Sequence, residues 1–195
     1  DAQESRGLGD VYKRQGHADV GSFTFDANGI NWAVDAGGDD YGLEEIFGWR
    51  RYEYYRLRAE SHNMLVINPE YDVEIDLNTT TDIQLETKDR GGYVTLDMTK
   101  AYGKKGVESA TRAMGLIENR TKFIVQDEVK TKEPSEMYWF MLTKADIQIA
   151  EDGKSALLEQ NGQRLHAQIL SPSEGTFTIT EDKPLPTSPQ HNGQK

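Results

Sequence analysis

The sequence predicts an all-β protein, an antiparallel β-sandwich of many short strands, and three observations carry that prediction. Apolar and polar residues alternate with period two along most of the chain, which puts successive side chains on opposite faces of a sheet. The alternating runs are short, and Asn-Gly and Asp-Gly turn chemistry separates them at close spacing. No alternation of strands with long helical patterns suggests a parallel sheet.

The elements follow in order. Ser22-Phe23-Thr24-Phe25-Asp26 alternates into Asn28-Gly29, a pair suited to a tight turn, and the chain returns through Ile30 to Asp35, so this stretch reads as a hairpin. Further strands are predicted over 63–68, 82–87, 93–98, 107–118, 121–129, 137–143, 146–150, 156–160, 165–170 and 176–180. Glu118-Asn119-Arg120, Glu151-Asp152-Gly153-Lys154 and Asn161-Gly162 supply hairpin connections. Only 42–47 and 99–105 suit a helical turn. The stretch Ser5 to Gln15 resembles translated adapter read-through, so 1–15 is set aside as a non-native, sequencing-derived segment. The remaining residues, 16–195, form one sandwich domain. Its end is expected to be incomplete, because Pro184, Pro186 and Pro189 lead into a polar tail with nothing to close a domain.

Composition narrows the function. With 36% hydrophobic residues, nine Tyr, six Phe and three Trp in 195 residues, the chain can build a core without metals or disulfides as staples. Its 22 Lys and Arg against 33 Asp and Glu give a net charge of -11, the wrong sign for a surface that neutralises phosphates, so nucleic acid is not an expected partner. No apolar run approaches the roughly 20 residues of a membrane span. The absence of cysteine excludes thiolate catalysis, Cys-ligated zinc and a disulfide framework.

Chemistry concentrates in the first third. His17 stands just before the first strand, Asp35 ends the second, and His62 opens another, so two imidazoles and one carboxylate occupy strand ends, a set that suits zinc with one position open. The spacings of 18 and 27 residues force no convergence. An isolated histidine more often caps a strand or satisfies a buried carbonyl. A second feature is Trp49 to Arg58, where four arginines interleave with four aromatics. Less Glu53, this segment carries +3, which leaves -14 for the rest of the chain. Read as a strand, it places Arg56 and Arg58 on one side and Tyr55 and Leu57 on the other. Arg56, Arg58 and Tyr55 could then bind an anionic sugar through guanidinium forks and an aromatic face. The competing reading is arginines paired with local acids and tyrosines packed inside. Asp39-Asp40 is read as a solvated turn after Gly37-Gly38 rather than a calcium site.

Taken together, His17-Ala18-Asp19-Val20-Gly21-Ser22-Phe23, Gly29 with Trp32-Ala33, Asp35 and Gly37, then Asp40-Tyr41, Tyr54-Tyr55-Arg56, Arg58-Ala59-Glu60 and His62-Asn63 with Leu65 to Pro69 resemble the C-terminal β-sandwich of heparinase II/III-like polysaccharide lyases. Asp97-Met98-Thr99, Ala101-Tyr102, Val125-Gln126-Asp127-Glu128 and Pro184 to Pro189 fit the same pattern, so the resemblance covers 16–195. It implies a missing N-terminal α/α toroid, an active site between toroid and sandwich, and a structural zinc ion held by His17, Asp35 and His62. It also implies a bacterial periplasmic or secreted enzyme. Two departures bear on activity. The family's catalytic histidine two residues before His17 is Gln15 here, and in Trp139-Phe140-Met141-Leu142-Thr143 a leucine stands where relatives carry histidine, so no role transfers to Leu142.

The implied reaction is β-elimination at a uronic acid of an acidic polysaccharide. That chemistry needs a base at C5, a group neutralising the carboxylate and a proton for the leaving oxygen. The resemblance assigns the base and the neutralising groups to the toroid. No catalytic residue is retained in this chain, which alone is expected to be inactive. The rival from another class is a non-catalytic carbohydrate-binding or structural sandwich. A metal-dependent hydrolase would need Glu60 or Asp19 as base, and both are better read as structural.

Overall fold

The computed structural model describes residues 16–70, 75, 76, 79 and 81–190. Residues 1–15, and with them Gln15, lie outside the described residues. The fold is all-β with antiparallel sheets, as the alternation predicts. Eleven strands are formed among the described residues: β1 (Phe25–Ala27), β2 (Ile30–Ala33), β3 (Leu65–Ile67), β4 (Asp82–Lys88), β5 (Gly91–Asp97), β6 (Val107–Ile117), β7 (Lys122–Thr131), β8 (Met137–Trp139), β9 (Asp146–Ile149), β10 (Ser155–Gln160) and β11 (Gln163–Gln168). The largest sheet runs β4-β5-β6-β7. The others run β9-β10-β11, β1-β2 and β3-β8.

Turn chemistry sets the hairpins where the sequence placed them. Asn28 and Gly29 have φ of 54° and 75°, and Asn161 and Gly162 have 52° and 74°, so both residues of each turn take the left-handed conformation that a two-residue hairpin requires. Glu118, Asn119 and Arg120 all have positive φ and join β6 to β7.

Two cores result. One face of the large sheet, with Val94, Leu96, Ala110 and Met114, packs on Met64, Leu65, Val66 and Ile67, with Tyr102 beneath. The second core gathers Trp32 and Ile30 against Ala156, Leu158 and Phe177. Backbone bonds from Phe140 N–H to Met64 and from Val34 N–H to Leu142, both 2.9 Å, carry the chain after β8 between β3 and β2 and so join the two halves. No helix of the described residues is long and apolar enough to cross a membrane.

Three expectations need correction. The 176–180 stretch is not a strand: Phe177 N–H bonds the Gly153 carbonyl at 2.8 Å and no ladder of partners extends it. The strand predicted over 137–143 ends at Trp139, because Leu142 N–H is taken by a side chain, Asn63 Oδ1, at 2.6 Å. The Arg-rich segment is not a strand either. It forms three successive 3-10 turns, Arg51–Glu53, Tyr55–Leu57 and Ala59–Ser61, separated by extended Tyr54 and Arg58. Its period is therefore four, not two, and the placing of Arg56 and Arg58 on one strand face does not hold. Burial drives this: from Tyr54 to Ile67 every residue except Arg56 is buried, which an alternating two-faced strand cannot achieve.

Candidate metal centre

Three separate segments bring His17, Asp35 and His62 together, and each is pinned beside its functional side chain. Ala18 N–H donates to the Leu57 carbonyl at 2.9 Å, while the Gly16 carbonyl accepts from Arg51 Nε and Nη2, both at 3.2 Å, and from Tyr52 at 3.3 Å. His17 is thus held from both sides. Asp35 follows β2, and its Oδ1 accepts from Gly37 N–H at 2.7 Å, which turns the loop and leaves Oδ2 facing the histidines. His62 ends the third 3-10 turn, its N–H bonded to the Ala59 carbonyl at 3.1 Å.

The resulting geometry is close. Asp35 Oδ2 lies 3.4 Å from His62 Nδ1, and the rings of His17 and His62 are 5.2 Å apart between centroids. Two imidazoles sharing one tetrahedral zinc would hold their ring centres about 5 Å apart. His62 is 1% exposed, and neither of its ring nitrogens has a hydrogen-bond partner, so both are buried polar atoms seeking one. An atom added at Gly38 Cα would sit 3.8 Å from His17 Nε2, so glycine keeps that nitrogen's approach open. Burial lowers the His17 pKa and the neighbouring His62 lowers it further, against smaller opposing effects of Asp19 and Asp35. Both the donor types and the orphaned nitrogens suit a zinc ion. As they stand, no three His, Asp or Glu side chains among the described residues converge closely enough to hold one.

The expected anion-binding residues are not brought together. Arg58 is 1% exposed and donates to the carbonyls of Tyr52 at 2.8 Å and Glu70 at 3.2 Å, with Glu60 Oε1 3.4 Å from its Nε. Tyr55 is buried and donates its hydroxyl to Asp182 at 2.8 Å; burial and that carboxylate push its pKa up, so it stays a neutral phenol. Of the three, only Arg56 keeps part of its side chain in solvent. It donates to the Ala36 carbonyl at 2.7 Å and lies 3.9 Å from Asp39, on the loop that follows Asp35. Glu60 is 2% exposed and accepts from Ser188 Oγ at 2.7 Å, a structural assignment as expected.

Sequence reasoning gave no role to Asn63, Arg112 or Asp127. Asn63 Nδ2 donates to the carbonyls of Phe23 at 2.6 Å and Val34 at 2.9 Å, which ties the approaches to β1 and Asp35 to the residue after His62. One signal was readable. Arg112 falls at the same alternation as Ala110 and Met114, placing a charge on a core-facing position.

A family model described as Heparinase II/III-like, C-terminal, matches residues 8–193, nearly the whole chain. No curated protein matches it. His17 lies eight residues before β1 and His62 ends a 3-10 turn, so neither histidine stands at a strand end as the sequence suggested. The extent of the match, together with the all-β antiparallel fold, leads to one assignment: the chain belongs to the heparinase II/III-like C-terminal family.

Proposed function

We propose that this chain is the zinc-binding sandwich of a polysaccharide lyase that cleaves a uronate-containing polysaccharide by β-elimination in the periplasm or outside the cell. The family supports a polysaccharide lyase parent. The observation that carries the zinc reading is the meeting of His17, Asp35 and His62 from three distant segments, with both nitrogens of a buried imidazole left unpartnered. When bound, zinc would cross-link the three segments and supply local positive charge. The residues themselves do the rest. His17 is biased to the neutral, ligating form by burial, and the Asp35 turn aims one carboxylate oxygen at His62. Arg56, which donates to the Ala36 carbonyl on the loop after Asp35, is the arginine this reading assigns to an anionic sugar.

The base and the groups that neutralise the uronate carboxylate belong, on this reading, to the toroid, so the sandwich by itself is expected not to cleave the polymer. The test has two parts. Elemental analysis and a zinc-dependent rise in Tm, abolished in His17→Ala, would support the metal site. Zinc-free purified protein with no Tm response would refute it. Separately, the parent enzyme is incubated with heparan sulfate and alginate, and absorbance of the unsaturated uronate product is followed. A second reading, a non-catalytic carbohydrate-binding sandwich, draws on Tyr41 and Trp49, each 75% exposed. Glycan binding by the parent with no unsaturated product would favour it.

A further inference from the structure

The three candidate ligands sit on segments with no common strand ladder, yet one buried guanidinium reaches two of those segments directly and the third through a single side chain. Arg112 lies in the middle of β6, 0% exposed, opposite Leu96 of β5 and Asp127 of β7. Its Nε and Nη2 donate to the two Asp127 oxygens at 2.7 and 2.8 Å, a two-point grip that fixes the plane of the guanidinium. That plane aims Nη1 at the carbonyls of Gly21 at 2.7 Å and Asn63 at 3.0 Å.

Gly21 closes the turn that starts at Asp19, two residues after His17. Its φ is +86°, and a Cβ there would lie 2.5 Å from Met98 Sδ, so only glycine can present this carbonyl to Arg112. Asn63 follows His62 directly, and its side-chain amide donates to Val34, the residue before Asp35. Each of the three candidate ligands is therefore within four residues of a carbonyl held by Arg112 or by Asn63.

We propose that Arg112, gripped by Asp127 and acting through Gly21 and Asn63, is the positioning residue of the His17, Asp35 and His62 centre. The proposal rests on the zinc reading above. A buried ion pair is a poor source of stability compared with apolar packing of the same shape. What this pair supplies is direction, since four hydrogen bonds with fixed angles hold two loops at one distance. Hydrogen-bonding groups behind metal ligands commonly change affinity about 10–100-fold when lost.

The test uses the 195-residue chain with Arg112→Lys, which keeps the charge and loses the fork, and Asp127→Asn, which keeps the shape and loses the charge on the grip. Leu158→Ala, in the other core, serves as a destabilised control. Zinc affinity is measured by competition with a chromophoric chelator, and imidazole nitrogen shifts of His17 and His62 are recorded by NMR in the metal-free protein. Arg112→Lys should weaken zinc about 10–100-fold and move both imidazole shifts, and Leu158→Ala should do neither at a comparable loss of Tm. Folded Arg112→Lys or Asp127→Asn with wild-type zinc affinity and unmoved imidazole shifts would overturn the proposal. So would failure of both variants to fold, which would make the pair purely structural. If wild type binds no zinc, the zinc reading fails by itself, and the imidazole shifts still decide whether Arg112 sets the ring positions.

Discussion

Replacing His62 with leucine should stabilise the metal-free protein while destroying its response to zinc. His62 is 1% exposed and neither ring nitrogen has a hydrogen-bond partner. A neutral imidazole carries one donor and one acceptor, and each unsatisfied buried group costs about 1–3 kcal/mol. Leucine removes both groups at similar volume. Imperfect packing of the new side chain should return up to about 1.5 kcal/mol of that gain. Asp35 is not stranded by the change, because its side chain is 44% exposed and its other oxygen stays bonded to Gly37 N–H.

Because Nδ1 keeps Asp35 Oδ2 at 3.4 Å, about one unsatisfied group counts in full, and the net expectation for the metal-free protein is a gain of about 0.5–2 kcal/mol, which for a domain of this size is about 1–8 °C in Tm. With zinc at about one hundred times its Kd, the wild type gains about 2.7 kcal/mol and the variant gains nothing, so the order of stabilities reverses. Differential scanning calorimetry with chelator and then with zinc measures both halves. A metal-free His62→Leu less stable than wild type would refute the desolvation argument, and equal zinc shifts in the two proteins would remove His62 from the metal site.

Three further outcomes follow from the site and its surroundings. Because burial lowers the His17 pKa below its unfolded value of about 6.5, stability is full above that value and falls as pH drops through the folded one. The metal-free wild type should therefore lose more Tm than His17→Gln between about pH 7 and pH 5, and parallel profiles would show that His17 is not desolvated. Arg56→Ala should weaken binding of a uronate oligosaccharide more at low salt than at high salt, as measured by isothermal titration; equal affinities at both would remove Arg56 from the anion contact. Tyr55→Phe deletes the hydroxyl bonded to Asp182 and should lower stability by about 0.5–1.5 kcal/mol, with faster proteolysis within 182–190. Unchanged denaturation and digestion would mean that this bond contributes nothing.

The hairpins were legible because their signals are local. Asn28-Gly29 and Asn161-Gly162 need no tertiary context to demand positive φ, and both turns formed where read. The candidate ligands were legible as residue types, but their meeting depends on contacts across the fold that no spacing encodes. The Arg-rich segment misled for a physical reason. Interleaved aromatics and arginines look like a two-faced strand, yet Arg51 and Arg58 find backbone carbonyls inside the protein, so both polar and apolar side chains are buried on a 3-10 path. Arg112 and Asp127 were invisible as a pair because their meeting is set by the β6–β7 register, which brings residues 15 apart face to face. The alternation of β6 did announce one thing, a charge on the inner face.

That burial changes how an acidic protein can meet an acidic polymer. The sequence offers a +3 island on a chain of -11, but in the fold most of the island is already committed. Arg50 pairs with Glu44 and Glu53, Arg51 serves the carbonyls of Gly16 and Ile46, and Arg58 serves Tyr52 and Glu70 beside Glu60. Arg56 has the most exposed side chain of these arginines, about one-third in solvent against about one-fifth for Arg50. At physiological ionic strength charges beyond about 8 Å are largely screened, so the overall negative charge does not by itself repel a polyanion; the charges within one sugar ring of the site decide. Around the centre these are Arg51, Arg56, Asp19, Asp39, Asp35 itself and, under the proposed function, the metal. Without a cation among the histidines the local balance is negative, since three carboxylates face two guanidinium groups. Under the proposed function a divalent ion held by His17, Asp35 and His62 would reverse that sign, and metal occupancy and affinity for anionic sugar would then be linked at one edge of the sandwich.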